Sequence, residues 1–190
     1  MERWGIFAAA VQETWREGDE QLESRGVLFA SHGYAKPRCA RGSGGVGLLL
    51  SVEARKAWEN AGSEILPFGE RIVAIRLLIR EAKGRVLKLL LGSGYEPIGD
   101  AAAAEREEYQ NDLERCFEAC RKDEVFVMLT DGNASMGVRE GDDDNVLGPY
   151  GVKYSNKAGR ELHELLSKVK LSHLLNDEPC TLGVRFGVTP

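Results

Sequence analysis

An aspartate and an asparagine stand two positions apart at the end of an apolar run. Residues 125–133 read Val-Phe-Val-Met-Leu-Thr-Asp-Gly-Asn, and a continuous apolar run of this kind is typical of a strand buried on both faces. Side chains two apart on an extended backbone point the same way, so Asp131 and Asn133 are expected to face one spot. That spot suits a metal ion, a phosphate oxygen or an attacking water. The alternative is a turn that uses Asp, Gly and Asn only for their turn geometry.

Two more apolar runs end in polar residues that could take part in the same chemistry. Residues 6–11 lead into Gln12-Glu13-Thr14, and residues 86–94 lead into Tyr95-Glu96-Pro97. Mg²⁺ prefers oxygen ligands and is often held by one or two carboxylates together with waters and substrate phosphate. Glu13, Tyr95, Asp131 and Asn133 would make such a site if the strand ends converge.

The elements that must position these residues are strands interleaved with helices. Residues 71–80 and 86–91, joined by a turn at 81–84, are predicted to form a hairpin. The mixture indicates an α/β layered domain. Further strands are predicted at 6–11, 27–31, 46–52 and 125–129, helices at 101–122 and 157–171, a helical turn at 54–60, a loop or short helix at 15–25, and loops at 32–45 and 134–154. Ser155 or Asn156 is expected to cap the last helix.

The length and the net charge of the chain limit the classes of function that it can have. A chain of 190 residues suits one domain and can bury a substantial core. Its net charge of −5 argues against a broad surface for non-specific nucleic-acid binding. Lys36, Arg38 and Arg41 could still form a local basic rim, and the alternative is that they are solvated loop charges.

The cysteines give no sign of a zinc site. Cys39, Cys116, Cys120 and Cys180 include no pair with Cys-x-x-Cys spacing, and Cys116 and Cys120 are expected to pack in the core on one helix face. Reduced thiols and the lack of a signal peptide predict an intracellular protein, nuclear or cytoplasmic. No apolar run approaches the length of a membrane span, and no protein partner is identifiable.

Four short motifs in order carry a family resemblance. Gln-Glu-Thr at 12–14, Gly-Gly-Val-Gly at 44–47, Ser-Gly-Tyr-Glu-Pro at 93–97 and Asp-Gly-Asn-Ala at 131–134 resemble the endonuclease/exonuclease/phosphatase superfamily. Within it, the chain looks most like craniofacial development protein 2-like proteins and the endonuclease domains of non-LTR retrotransposons. The resemblance implies a partial domain over residues 1–176, followed by a divergent C-terminal tail at 177–190.

The resemblance implies both a fold and a set of roles. The fold is an α/β (α+β) four-layer sandwich of two packed β-sheets flanked by helices, here expected to be incomplete at the N- and C-termini. Glu13 would be the metal ligand for Mg²⁺ or Mn²⁺. Asp131, Asn133 and Tyr95 would be catalytic, with Asp131 acting on the nucleophilic water. Asn133, Tyr95 and Asn156 would bind the substrate.

The chain also departs from the family pattern. Relatives carry an Asn-bearing strand before Gln-Glu-Thr and a Ser-Asp-His motif near the end, and neither is found here. None of His32, His163 and His173 follows an Asp, and these histidines are expected to be surface or packing residues. Ile98 and Gly132 stand where relatives carry a polar and an aromatic residue.

The resulting prediction is a metal-dependent phosphodiester hydrolase that acts on nucleic acid, with activity weak or lost in a truncated chain. One alternative is a non-catalytic interaction module or a decayed retroelement fragment with the same fold. Another is a phosphatase or phosphodiesterase for inositol phosphates or other small molecules. Asp131, Asn133 and Asp142 also imitate an EF-hand calcium loop, but Met136 replaces the required glycine and the preceding segment looks like a strand.

Overall fold

The computed structural model describes residues 1, 3, 5–15, 20–24, 27–32, 45–80, 84–98, 101–138, 146–148 and 153–169. The predicted basic rim, His173 and the predicted tail lie outside these residues, as does the side chain of His32. The chain divides into two compact units. The sheet unit comprises Met1–Glu96 and Asn111–Asp131, and the loop–helix unit comprises Pro97–Gln110 and Gly132–Pro190.

The sheet unit contains two four-stranded sheets. The first sheet is antiparallel with the strand order β1-β4-β3-β2, and the second has the order β5-β6-β7-β8 with only β7 and β8 parallel. The strands span β1 Ala8–Gln12, β2 Glu20–Ser24, β3 Val27–His32, β4 Val46–Leu50, β5 Ile65–Phe68, β6 Ile72–Arg80, β7 Val86–Tyr95 and β8 Val125–Asp131.

The two sheets pack face to face around one apolar layer. Successive side chains of a strand point to opposite faces, so alternate residues of β6, β7 and β8 form rows that face the first sheet. One row is Leu77, Leu89 and Val125, and the next is Ile75, Leu91 and Val127. These rows pack against Leu28, Leu48 and Leu50 of the first sheet.

Helix α1 (Val52–Asn60) completes this layer at the end where β4 finishes. Ser51 caps the helix, since its side-chain oxygen accepts a hydrogen bond from the backbone N–H of Ala54 at 3.2 Å. The helix contributes Ala54, Ala57 and Trp58 to the core. The Trp58 indole N–H donates to the carbonyl of Glu64 at 3.0 Å, so its polar atom is satisfied inside an apolar site.

Helix α2 (Ala103–Glu118) has its C-terminal part in the sheet unit. Phe117 meets Phe126 of β8 edge to face, with ring centroids 5.6 Å apart. Arg76 of β6 donates to the carbonyl of Ala119 at 2.9 Å and pairs with the buried carboxylate of Glu124 at 3.1 Å. These contacts hold the end of the helix on the face of the second sheet that points away from the first. Cys116 is fully buried on this helix, as expected, and burial raises the pKa of its thiol to about 12.

The loop–helix unit is built around helix α3 (Lys157–Val169). Its buried residues include Ala158, Leu162 and Leu165. The preceding loop forms an isolated antiparallel bridge between Met136 and Ser155. Gly159 lies so close to this loop that a Cβ atom there would come within 2.0 Å of the carbonyl oxygen of Ser135. Only glycine allows that approach.

The predicted fold class is confirmed, because two packed sheets and helices make an α+β fold. The hairpin of β6 and β7 and the three helical segments are also present. No helix of the described residues is long and apolar enough to cross a membrane.

Two local predictions were wrong, and one strand was not predicted. Residues 20–24, predicted as loop or short helix, form β2, since pairing with β3 stabilises a polar segment that has little strand character of its own. Residues 65–68 form β5, a strand that was not predicted; its Pro67 is tolerated because β5 lies at the edge of the sheet. Strand β8 is only partly buried, because among the described strands its one neighbour is β7.

Candidate functional site

The rows of the second sheet that face the first sheet are apolar along most of the strands and become polar at one end. After the row that contains Val73, Ser93 and Leu129, the next pair is Tyr95 and Asp131. The backbone N–H of Glu96 continues this pairing by donating to the carbonyl of Asp131 at 3.0 Å. Residues paired in register on neighbouring strands point to the same face and lie about 4.8 Å apart, so the carboxylate of Asp131 starts beside the tyrosine ring.

Glu13 reaches the same end from the first sheet through a distortion of β1. Gln12 pairs with Val46, but the N–H of Thr14 donates to the carbonyl of Gly45 at 3.1 Å. Glu13 is therefore one extra residue in the ladder, which is the pattern of a β-bulge. Its φ of +53° lies in the left-handed region, which is uncommon for residues other than glycine. Bulges and such backbone conformations often aim a side chain at a functional site.

A hydrogen bond joins the two sheets at this point. The phenol O–H of Tyr95 donates to Oε1 of Glu13 at 2.6 Å. Tyr95 is 6% exposed and packs with Val46 and Val73, so the ring is fixed and the bond is shielded on one side. A hydrogen bond to a carboxylate is stronger than one between neutral groups. The contact holds one oxygen of Glu13 and leaves Oε2 available to a second partner.

Arg71 places a positive charge against the same tyrosine. Its guanidinium carbon lies 5.5 Å from the centroid of the Tyr95 ring, within the range of a cation–π contact. The backbone supports this position, since the N–H of Tyr95 donates to the carbonyl of Arg71 at 3.0 Å. A cation thus lies next to a group that contains two carboxylates, where it can offset part of their negative charge.

We call Glu13, Tyr95 and Asp131, together with Arg71, the strand-end site. The structure brings the first three together as the sequence predicts, and all four belong to the sheet unit. Arg71 was missed by the sequence reasoning. Its only signal was its position directly before the apolar run that forms β6, which is where a strand-end residue would lie.

Asn133 and Asn156 belong to the loop–helix unit. Asn133 has a φ of +38°. Oδ1 of Asn156 accepts hydrogen bonds from the N–H groups of Gly159 at 2.7 Å and Ser135 at 3.2 Å. Asn156 therefore caps α3 and ties it to the preceding loop, which confirms the capping prediction. Substrate binding by Asn133 and Asn156 stays a prediction.

Two polar groups lie buried near the strand-end site. Ser93, one row below Tyr95, is fully buried, and its hydroxyl has no hydrogen-bond partner among the described residues. The Thr14 hydroxyl, next to Glu13, is likewise buried and has no such partner in the described part of the chain. Glu96 is 3% exposed, so a further carboxylate follows directly after Tyr95.

The donor atoms at the strand-end site suit a hard divalent cation. Glu13 and Asp131 offer carboxylate oxygens and are both exposed, and Mg²⁺ needs only one or two carboxylates when waters complete its shell. Within the described residues, no three His, Cys, Asp or Glu side chains are grouped closely enough to hold a metal alone. A cation here would therefore be held by Glu13, with Asp131 beside it, and by water or substrate oxygens.

Two histidines fall within the described residues. His163 lies in α3, in the loop–helix unit. His32 is described only by its backbone, at the end of β3 opposite Val46. The EF-hand alternative is contradicted, because strand β8 stands where the entering helix would be required.

Neither a scan against protein-family models nor a search of the curated proteins finds a match for this chain.

Proposed function

We propose that this chain is a metal-dependent phosphodiester hydrolase of the endonuclease/exonuclease/phosphatase type that acts on nucleic acid. The observation that carries the proposal is the hydrogen bond between Tyr95 and Glu13, with Asp131 paired beside Tyr95. Tyr95 is separated from Glu13 by 82 positions in the sequence and meets it where the two packed sheets end. The sequence motifs also single out these three residues.

Each side chain has a distinct part in the proposed reaction. Asp131 is exposed at the strand end, where its carboxylate can orient a water and accept its proton as the water attacks phosphorus. Tyr95 fixes the carboxylate of Glu13 through the phenol hydrogen bond. Arg71 lies where it can reduce the repulsion between a phosphodiester and the site's carboxylates.

Glu13 would hold a divalent cation such as Mg²⁺ or Mn²⁺. When bound, such an ion neutralises charge on the phosphate and assists departure of the leaving oxygen. Asn133 is proposed as a phosphate contact from the sequence resemblance alone. Because the Ser-Asp-His motif of the resembled family is not found in the sequence, we expect turnover to be slow, since the loss of one group from a concerted set costs orders of magnitude in rate.

The test is cleavage of supercoiled plasmid by the purified chain in Mg²⁺. Nicking by the parent should disappear in Asp131→Ala and on addition of EDTA. Asp123→Ala is the matched control, because Asp123 is an exposed aspartate two residues before the start of the same strand, where it pairs with Lys88. Equal nicking by both variants would refute the assignment. Binding of DNA without any cleavage would instead favour the non-catalytic module.

A further inference from the structure

An exposed tryptophan stands two residues after Glu13. Trp15 is 56% exposed, the largest exposed fraction among the large apolar side chains described in the sheet unit. Cα atoms two positions apart are at most about 7 Å from each other. The backbone of Trp15 therefore lies close to the strand-end site. Burying an indole is strongly favourable, so an exposed one beside a polar site calls for an explanation.

The backbone holds Trp15 in an unfavourable conformation. Its φ is +56° and that of Glu13 is +53°, so left-handed residues stand on both sides of Thr14. For a bulky residue such a φ is a clear outlier, and outliers of this kind concentrate at functional sites. The hydrogen bond from Thr14 to Gly45 anchors the segment. Gly45 has a φ of +82°, and a Cβ atom there would meet Oγ1 of Thr14 at 2.3 Å.

We propose that Trp15 is a stacking platform for an unpaired nucleobase, and that the substrate of the strand-end site is single-stranded nucleic acid. This inference rests on the proposed function. An aromatic face stacks on any base and so binds without sequence preference. Bases within a duplex are already stacked, whereas bases of a single strand are free to lie on a side chain.

The charge of the chain favours a contact of this kind. With a net charge of −5 and two carboxylates in the site, the protein gains little affinity from the phosphate backbone. Arg71 is the cation that the described residues place against Tyr95, and it can attract one phosphate. Stacking would supply binding affinity that the charges do not. It would also let the site discriminate nucleic acid from inositol phosphates, which have no base.

The experiment measures the dissociation constants of labelled phosphorothioate strands, which resist cleavage, in Mg²⁺. Trp15→Ala should weaken binding of a single strand about tenfold, and Trp15→Phe should retain most of the affinity. An abasic strand with the same backbone should bind equally to the parent and both variants. Val86→Ala removes another exposed apolar side chain, 40% exposed at the opposite end of β7 from Tyr95, and should leave binding unchanged.

The inference is overturned if Trp15→Ala binds the single strand as tightly as the parent, if the abasic strand is weakened equally, or if the parent does not bind the strand. These outcomes are separate from failure of the hydrolase assignment. Plasmid nicking that depends on Asp131 would stand even if Trp15 were dispensable. Base-dependent binding through Trp15 without any cleavage would support the stacking role of Trp15 and refute the hydrolase assignment.

Discussion

The two ends of the layer between the sheets are built from the same strands but do different things. At one end, the rows of β6, β7 and β8 carry Leu77, Leu89 and Val125, and α1 adds Trp58. At the other end, β7 and β8 finish with Tyr95 and Asp131, and Glu13 joins them from the first sheet. The apolar end holds the sheets together by burial, and the polar end holds a hydrogen-bonded carboxylate where water can enter.

The two ends differ in whether their side chains are buried or exposed to water. The apolar rows are buried and gain from removal of surface from water. The polar end keeps Glu13 and Asp131 exposed and accepts two left-handed residues, Glu13 and Trp15. Strained or exposed groups reduce stability and persist where function needs them. Substitutions should therefore separate stability from activity according to the end at which they are made.

The largest effect on stability is expected at the apolar end. Leu89→Ala removes a side chain that is 1% exposed between the sheets, and it should lower the free energy of unfolding by about 3 kcal/mol. Urea denaturation followed by circular dichroism measures this. The control is Leu22→Ala on β2, where the leucine is 41% exposed. If both variants melt alike, the interior layer is not the source of stability.

The converse effect is expected at the polar end. Asp131→Asn should lower kcat/KM for a phosphodiester about 100-fold, because a positioned acid–base group contributes at least that much. The aspartate is exposed, so its free energy of unfolding should change by less than about 0.5 kcal/mol. Steady-state kinetics and urea denaturation of one preparation give both numbers. If Asp131→Asn lowered the free energy of unfolding strongly but kept full activity, Asp131 would contribute to stability and not to the reaction.

Tyr95→Phe and Glu13→Gln test whether the two sheets build one site. Tyr95→Phe keeps the buried ring and removes only the donor to Glu13, and each single change should lower kcat/KM about tenfold. Groups that act through one contact are not additive. The double variant should therefore lose little more than the worse single one. Losses in kcat/KM that multiply would show that the two residues act independently.

The smallest effect is expected at the boundary between the ends. The buried hydroxyl of Ser93 has no partner among the described residues, so Ser93→Ala should raise the free energy of unfolding by about 1 kcal/mol. The kcat/KM of this variant should stay within about twofold of the parent's, since removal of a buried, uncharged hydroxyl leaves the charges of the strand-end site intact. Thermal denaturation and kcat/KM check the two statements. A large loss of kcat/KM would mean that the hydroxyl belongs to the functional site.

The sequence predicts this site because its signals are local. Apolar runs that end in Glu13, Tyr95 and Asp131 are visible without any knowledge of pairing, and the central hairpin follows from the turn between two such runs. β2 and β5 were missed because they become strands only by pairing with β3 and β6, which are formed elsewhere in the chain. The bulge at Glu13 and the contact of Arg71 with Tyr95 depend on tertiary register, which no local pattern encodes.

Binding of Mn²⁺, followed by electron paramagnetic resonance, tests most directly whether Glu13, Tyr95 and Asp131 form a metal-dependent site. The parent chain should bind one ion. The affinity should fall at least about tenfold in Glu13→Gln, as for the loss of a metal ligand or its support. It should be unchanged in Asp123→Asn, because this exposed carboxylate lies just before the start of β8, away from Asp131. Equal affinity in the parent and Glu13→Gln would contradict a metal site at this end of the sheets.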